Sequence, residues 1–289
     1  MSERRLAYLL ILPTLIVLVA ISFYPLADAF YTSLRAGAYY RLGAFVGLAN
    51  YFHIFRLPAF WDALGHTAYF VVVSVILELM FGLGVALALN RTFRGRGIVR
   101  ASILIPWALP TAVCAKMFTL FYHPDVSVLN DLLMRLHLIG EPIGWLVDPN
   151  VALNSCILLD VWKTMPFVAL LLLAGLQVIP PDLYNAAQVD GAGPLRCFAH
   201  ITLPLLQPAI AVTLIFRSLD AFKVYDSIWV LTQGGPAGST EVISTYAYKW
   251  FFSYPYDFGT GCAVSVIAFL CVLALSMLYI KALRRQVEL

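Results

Sequence analysis

Charge is scarce in this chain. Asp, Glu, Lys and Arg make up 12% of its 289 residues, where a soluble domain carries roughly 25%. The net charge of +3 is too small to point to a nucleic-acid partner. Paired cysteines are missing too. Cys114, Cys156, Cys197, Cys262 and Cys271 form no CxxC spacing, so they read as small apolar residues rather than a disulfide framework or metal site. His53, His66, His123, His137 and His200 are scattered, with no HExxH spacing, and no catalytic constellation is legible around them. A G-x-x-x-x-G-K-[ST] phosphate loop is also lacking, so ATP is not expected to bind this chain in that way. An enzyme is not expected.

What the chain has instead is apolar length. Hydrophobic residues make up 61% of it, and the mean hydropathy is +0.84. About 20 apolar residues cross the hydrocarbon core of a bilayer as a helix. Runs of that order occupy about 6–23, 68–89, 101–122, 151–178, 205–231 and 258–280. A helix satisfies its own backbone groups in lipid. The expected fold class is therefore all-α: a polytopic membrane protein with six transmembrane helices in one domain, 1–289. Arg4 and Arg5 precede the first run as in a signal peptide. That run is longer than a usual h-region, with no convincing cleavage site before Tyr24-Pro25, so an uncleaved span is expected.

The placement of the basic residues orients the spans. With a cytoplasmic N-terminus, the inside segments hold Arg4, Arg5, Arg91, Arg94, Arg96, Arg100, Arg196, Lys281, Arg284 and Arg285. The outside ones hold Arg35, Arg41, Arg56, Arg135 and Lys249. Both termini are accordingly expected in the cytoplasm. Three longer outside segments follow, about 24–67, 123–150 and 232–257. They carry Trp61, Trp145 and Trp250, which suit either headgroup anchoring or an external docking surface.

Charges inside spans are costly and face a bundle interior or a watery path. In the fifth run Arg217, Asp220, Lys223 and Asp226 follow one another in steps of three with alternating sign. On a helix such neighbours pair. They read either as an internal ion-pair ladder or as the lining of a path for a polyhydroxylated solute, with Tyr225 and Ser227 beside them. Asp160 and Lys163 have the same spacing and are expected to pair. Glu78 and Lys116 are single charges, expected to pair across helices. Pro106 and Pro110 are expected to kink or break the third span. Gly82, Gly84 and Ala86 give the second span a small-residue face for close helix approach.

The loop after the fourth run, 179–204, has its own punctuation. Pro181 and Asp182 suit a first helical turn, Gly191 a stop and Pro194 a second start. The expected structure is a short helix, a turn and a second short helix ending at Pro204.

This loop resembles the EAA motif of ABC importer permeases, Glu-Ala-Ala, three residues, Gly, nine residues, Ile, one residue, Leu-Pro. Ala186, Ala187, Gly191, Ile201, Leu203 and Pro204 fall in register. Asp190-Gly191-Ala192-Gly193 and Ile201-Thr202-Leu203-Pro204 are similar to the carbohydrate-importer branch, typified by the maltose permease. So are Leu231-Thr232-Gln233-Gly234-Gly235-Pro236 and the 220–226 stretch. The chain departs from the motif at Asn185, where the family usually has Glu, so the ion pair that acid makes with the ATPase is not available here.

The resemblance implies a type I ABC importer permease subunit in a bacterial or archaeal cytoplasmic membrane. Its implied partners are a second permease subunit, two cytoplasmic ATPases holding ATP and Mg, an extracytoplasmic sugar-binding protein and the sugar itself. No cofactor or metal is implied in this chain. The ATPase-coupling residues would be Tyr184, Asn185, Ala186, Ala187, Asp190, Gly191, Gly193, Ile201, Leu203 and Pro204. The alternative, a secondary transporter or channel using the intramembrane charges, predicts an inverted repeat between the halves; none is legible.

Overall fold

The computed structural model describes residues 3–37, 43–124, 126–253 and 257–287, with side chains from residue 8 to residue 281. Arg41 and the side chains of Arg4, Arg5, Arg284 and Arg285 lie outside the described residues.

The described residues are mainly helical. Helix α1 (Glu3–Leu18) passes through a π-turn (Val19–Phe23) into α2 (Tyr24–Ser33), and α3 (Ala49–Phe55) precedes the long α4 (Pro58–Asn90). Then come α5 (Arg96–Ala108), α6 (Thr111–Phe121), α7 (Val128–Arg135) and α8 (Pro149–Val178). Helices α9 (Pro181–Val189) and α10 (Pro194–Cys197) are short, and a second π-turn (Phe198–Thr202) leads into α11 (Leu203–Phe222). The chain closes with α12 (Asp226–Leu231), α13 (Ile243–Phe252) and α14 (Phe258–Val287).

Five stretches are long and apolar enough to cross a membrane: Tyr8–Ser33, Pro58–Asn90, Pro149–Val178, Pro194–Phe222 and Phe258–Lys281. The pair α5 and α6, bent by 91°, makes a sixth when counted as one broken span.

Prolines set several of the boundaries. Leu109 is extended (ψ 144°) and α6 restarts after Pro110, because the ring of a proline pushes the preceding residue out of the helical region. Pro106, by contrast, lies inside α5 without ending it. Ile179 is extended (ψ 121°) before Pro180, which stops α8. At the other end of α8, Asp148 accepts the Asn150 N–H at 2.9 Å and Pro149 takes the first turn, where its missing N–H costs nothing.

Three expected boundaries move. The first apolar helix does not stop near Phe23 but runs on to Ser33, and the loop's second helix does not end at Pro204 but continues as α11. The cause is the same in both. Each proline stands two residues past a π-turn, in which the Tyr24 N–H reaches Val19 O and the Leu203 N–H reaches Phe198 O. The wider turn makes room for a ring that would otherwise strike the carbonyl one turn back. The fifth run, read as one helix to Leu231, breaks after Phe222 and resumes at Asp226.

The described chain forms two compact units, Met1–Trp61 with Ile243–Cys271, and Asp62–Val242 with Val272–Leu289. In the first, Asn50 Nδ2 donates to the Ser33 and Arg35 carbonyls, each at 2.8 Å, tying α3 to the end of α2. Phe30 meets Phe269 edge to face, and Trp61 stacks on Phe55.

In the second unit α8 is the central helix, packed against α5, α6, α11 and α12. Its apolar residues are spread around most of its circumference, as expected of a helix buried on most sides, with Asp160, Lys163 and Thr164 the polar exception near its middle. One cluster gathers Phe70, Phe118, Tyr122, Ile157, Leu159 and Ile228; another gathers Ala86, Leu89, Val168, Leu172, Leu176 and Leu206. Gly82 belongs to the close-approach face, since a Cβ there would lie 2.7 Å from Val168 Cγ1. Gly84 does not: a Cβ there meets nothing within 4 Å.

Candidate functional site

Charges from three helices of the second unit converge on Arg217. Its Nε and Nη2 donate to the two Glu78 carboxylate oxygens at 2.5 and 2.7 Å. Nη2 also donates to Asp160 at 3.1 Å, and Nη1 to Asp220 at 2.6 Å. Thr164 Oγ1 completes the cluster, 2.6 Å from both Glu78 Oε1 and the Asp160 carbonyl. Glu78 is fully buried and Arg217 is 2% exposed. Such charges are tolerated in a dry interior only when paired and hydrogen-bonded, and the planar five-donor guanidinium meets three carboxylates without changing shape.

This arrangement corrects the expected pairs. Glu78 pairs with Arg217 and not with Lys116, whose side chain is exposed and has no ion pair among the described residues. Asp160 pairs with Arg217 and not with Lys163. Of the expected ladder only the Arg217–Asp220 rung forms. The helix ends before Lys223, so the i,i+3 register that would carry the next rungs is lost.

Beside the cluster lies a cavity of about 230 Å³. Asp220, Lys223, Tyr225, Asp226 and Ser227 all line it, as do Thr111, Asp160, Lys163 and Thr164. Arg217 does not. It sits behind the wall, held by Glu78, and reaches the cavity only through the carboxylates of Asp160 and Asp220. The break between α11 and α12 is what turns Lys223, Tyr225 and Asp226 toward one space, and Tyr225 stacks on Trp229 at 5.7 Å with planes 13° apart. Ser227 is 1% exposed and its Oγ has no hydrogen-bond partner among the described residues. The wall thus carries carboxylates, ammonium groups and hydroxyls, both accepting and donating. Lys163, Thr111 and Thr164 were missed as lining groups because they lie on other helices. Glu78 was visible as a lone charge in an apolar run, but its partner was not.

The 179–204 loop stands apart from that cavity. Helix α9 ends in a Schellman motif. The Ala192 N–H bonds the Ala187 carbonyl at 2.8 Å and the Gly191 N–H bonds Gln188 O at 3.1 Å, with Gly191 at φ 74°. This closure satisfies the last carbonyls of the helix and needs a left-handed residue. Tyr184 OH meets Thr202 Oγ1 at 3.0 Å, and Tyr184 and Ile201 pack on the cluster around Leu206. Asn185, Ala186, Asp190, Gly193, Leu203 and Pro204 are exposed, and Ala187 is half-buried. Val189 and Leu195 stand out by 88% and 83%.

Membrane-length helices without a β-sheet among the described residues, one of them broken beside a polar cavity, define a multi-span membrane permease. The chain matches the family described as "Binding-protein-dependent transport system inner membrane component" over residues 78–288 and belongs to it. It is 43% identical over 280 residues to the trehalose/maltose transport system permease protein MalF of Thermococcus litoralis, covering 96% of this chain and 94% of that one. It is 38% identical over 283 residues to the trehalose transport system permease protein SugA of Mycobacterium tuberculosis, covering 97% and 89%. In fold it matches a chain of a bacterial ABC transporter involved in the import of the acidic polysaccharide alginate, with a TM-score of 0.83, 24% identity and coverage of 98% and 96%. These relatives are transport permeases, not enzymes, and this chain is a permease subunit of an ABC importer.

Proposed function

We propose that the chain is one permease subunit of an ATP-driven importer of a sugar of the trehalose or maltose kind. It sits in a bacterial or archaeal cytoplasmic membrane, with both termini in the cytoplasm. A second, different permease subunit completes the path, two cytoplasmic ATPases hold ATP and Mg, and an extracytoplasmic binding protein delivers the sugar. This chain itself carries no cofactor or metal. Asp220, Lys223, Tyr225, Asp226 and Ser227 meet the sugar, whose hydroxyls both donate and accept and so match such a wall. Arg217 acts from behind it.

One observation carries the reading. Pro194–Phe222 is a single helical stretch of 29 residues, about 40 Å at the usual rise, joining the EAA-like loop at one end to the cavity at the other. A push on the loop therefore reaches Asp220 as a displacement of a stiff rod. The loop would seat in the ATPase through Tyr184, Asn185, Ala186, Ala187, Asp190, Gly191, Gly193, Ile201, Leu203 and Pro204. Asn185 offers a neutral hydrogen bond in place of the usual ion pair, and the exposed Val189 and Leu195 offer apolar surface for docking.

The test is the complete complex in proteoliposomes with its binding protein. ATP-dependent uptake of trehalose or maltose, lowered by Asp220→Asn, is the expected result. Uptake of both sugars that persists without ATP would overturn it.

A further inference from the structure

We infer that Glu78 is a positioning residue for the solute path: it does not line the cavity beside Arg217, yet it sets where that cavity's carboxylates stand. The inference rests on the path reading above. Of the three carboxylates on Arg217, Glu78 makes two of the four bonds and is fully buried. Asp160 and Asp220 make one bond each, and both line the cavity. The Asp220 side chain is 66% exposed.

Burial ranks these contacts. Separating Glu78 from Arg217 would leave a bare charge in a dry interior, which is the costly event. Asp220 can turn to water or to a solute hydroxyl at little cost. The N–H directions of a guanidinium are fixed in its plane. Two bonds to Glu78 therefore set the orientation of the whole fork, and with it the points at which Asp160 and Asp220 find their hydrogens.

Take Glu78 away and the cation keeps two carboxylates, both on the cavity side. It is drawn toward them, covers the oxygens a sugar would use, and brings positive charge to the wall. Thr164 reinforces the same geometry, since its hydroxyl joins Glu78 to the backbone beside Asp160.

Helix glue alone makes the opposite forecast. An adhesive changes the amount of folded complex and not the sugar moved per ATP, and removing Glu78 together with Arg217 would still strand the buried Asp160. Glu78→Gln, which keeps the volume and leaves Arg217 paired with Asp160 and Asp220, separates the two roles.

The experiment uses the complete complex in proteoliposomes and reads sugar moved per ATP hydrolysed, with trehalose and maltose as probes, normalised to assembled complex. That ratio does not move when a variant merely lowers the amount of folded protein. We expect Glu78→Leu/Arg217→Met and the isosteric Glu78→Gln each to lower it about tenfold, the worth of one charge-assisted hydrogen bond. Glu78→Asp should recover part of the loss. Should the double variant not assemble, Glu78→Gln decides alone. A wild-type ratio in these variants, with Asp220→Asn still lowered, overturns the role of Glu78 and leaves the path reading standing. A wild-type ratio in Asp220→Asn as well overturns both. Transport of neither sugar by the unaltered complex overturns the carbohydrate reading and the inference with it.

Discussion

Gly175 on α8 lies against Ala209 on α11 so closely that a Cβ added to the glycine would stand 2.5 Å from the alanine's own Cβ and 2.9 Å from Leu206 Cδ1. Close backbone approach of this kind is how helices pack where hydrophobic burial supplies no drive between them. It also locks α8 to α11 near the loop that joins them.

The first prediction follows directly. Gly175→Ala overfills that contact and should cost about 1–3 kcal/mol. Gly84→Ala, where nothing lies within 4 Å of the new methyl, should be near neutral. Thermal unfolding of the detergent-solubilised chain distinguishes them. Equal melting temperatures would mean that α8 and α11 do not meet this tightly.

The second concerns the buried cation. Arg217→Met alone strands Glu78 and Asp160 without their partner and should destabilise the chain by about 3–5 kcal/mol. Adding Glu78→Leu should return part of that loss, because one of the two stranded buried charges goes with it. The order of melting temperatures is then unaltered chain, double variant, single variant. A single variant as stable as the double would remove the case for a dry ion cluster.

The third concerns the end of α9. Gly191 has φ 74° with open space around it, so backbone conformation and not crowding selects glycine there. Gly191→Ala should cost about 1–2 kcal/mol of left-handed strain, and Gly191→Asn less, since Asn tolerates that region. Under the coupling reading, ATP hydrolysis stimulated by the sugar-loaded binding protein falls in the same order. Equal stimulation in all three chains would separate the Schellman turn from coupling.

Some of this was readable before any coordinates. Pro110 announced a break in the third span because the constraint on a residue before proline is local. Gly191 announced a stop for the same kind of reason. Pro25 and Pro204 misled, since a π-turn can absorb a proline and nothing in the flanking residues advertises one. The charge cluster was the harder case. Spacing along one helix suggested neighbours for Asp160 and Arg217, but the stronger partner, Glu78, lies 139 positions away from Arg217. Periodicity cannot see a contact made across helices; it saw only that each charge was out of place in its run.

The last prediction tests orientation, on which the coupling reading depends. Arg91, Arg94, Arg96 and Arg100 crowd the short link from α4 into α5, and no acid occurs from Leu79 to Pro124. Among the described residues none of the four makes an ion pair, and basic links of this kind stay in the cytoplasm. In a background with the five native cysteines replaced, Thr92→Cys should react with a membrane-impermeant maleimide only after the cells are opened. Ala237→Cys, in the exposed turn after Gly235-Pro236, should react in intact cells. The reverse pattern would put the 179–204 loop on the same outer side as Arg91–Arg100, where no ATPase could reach it.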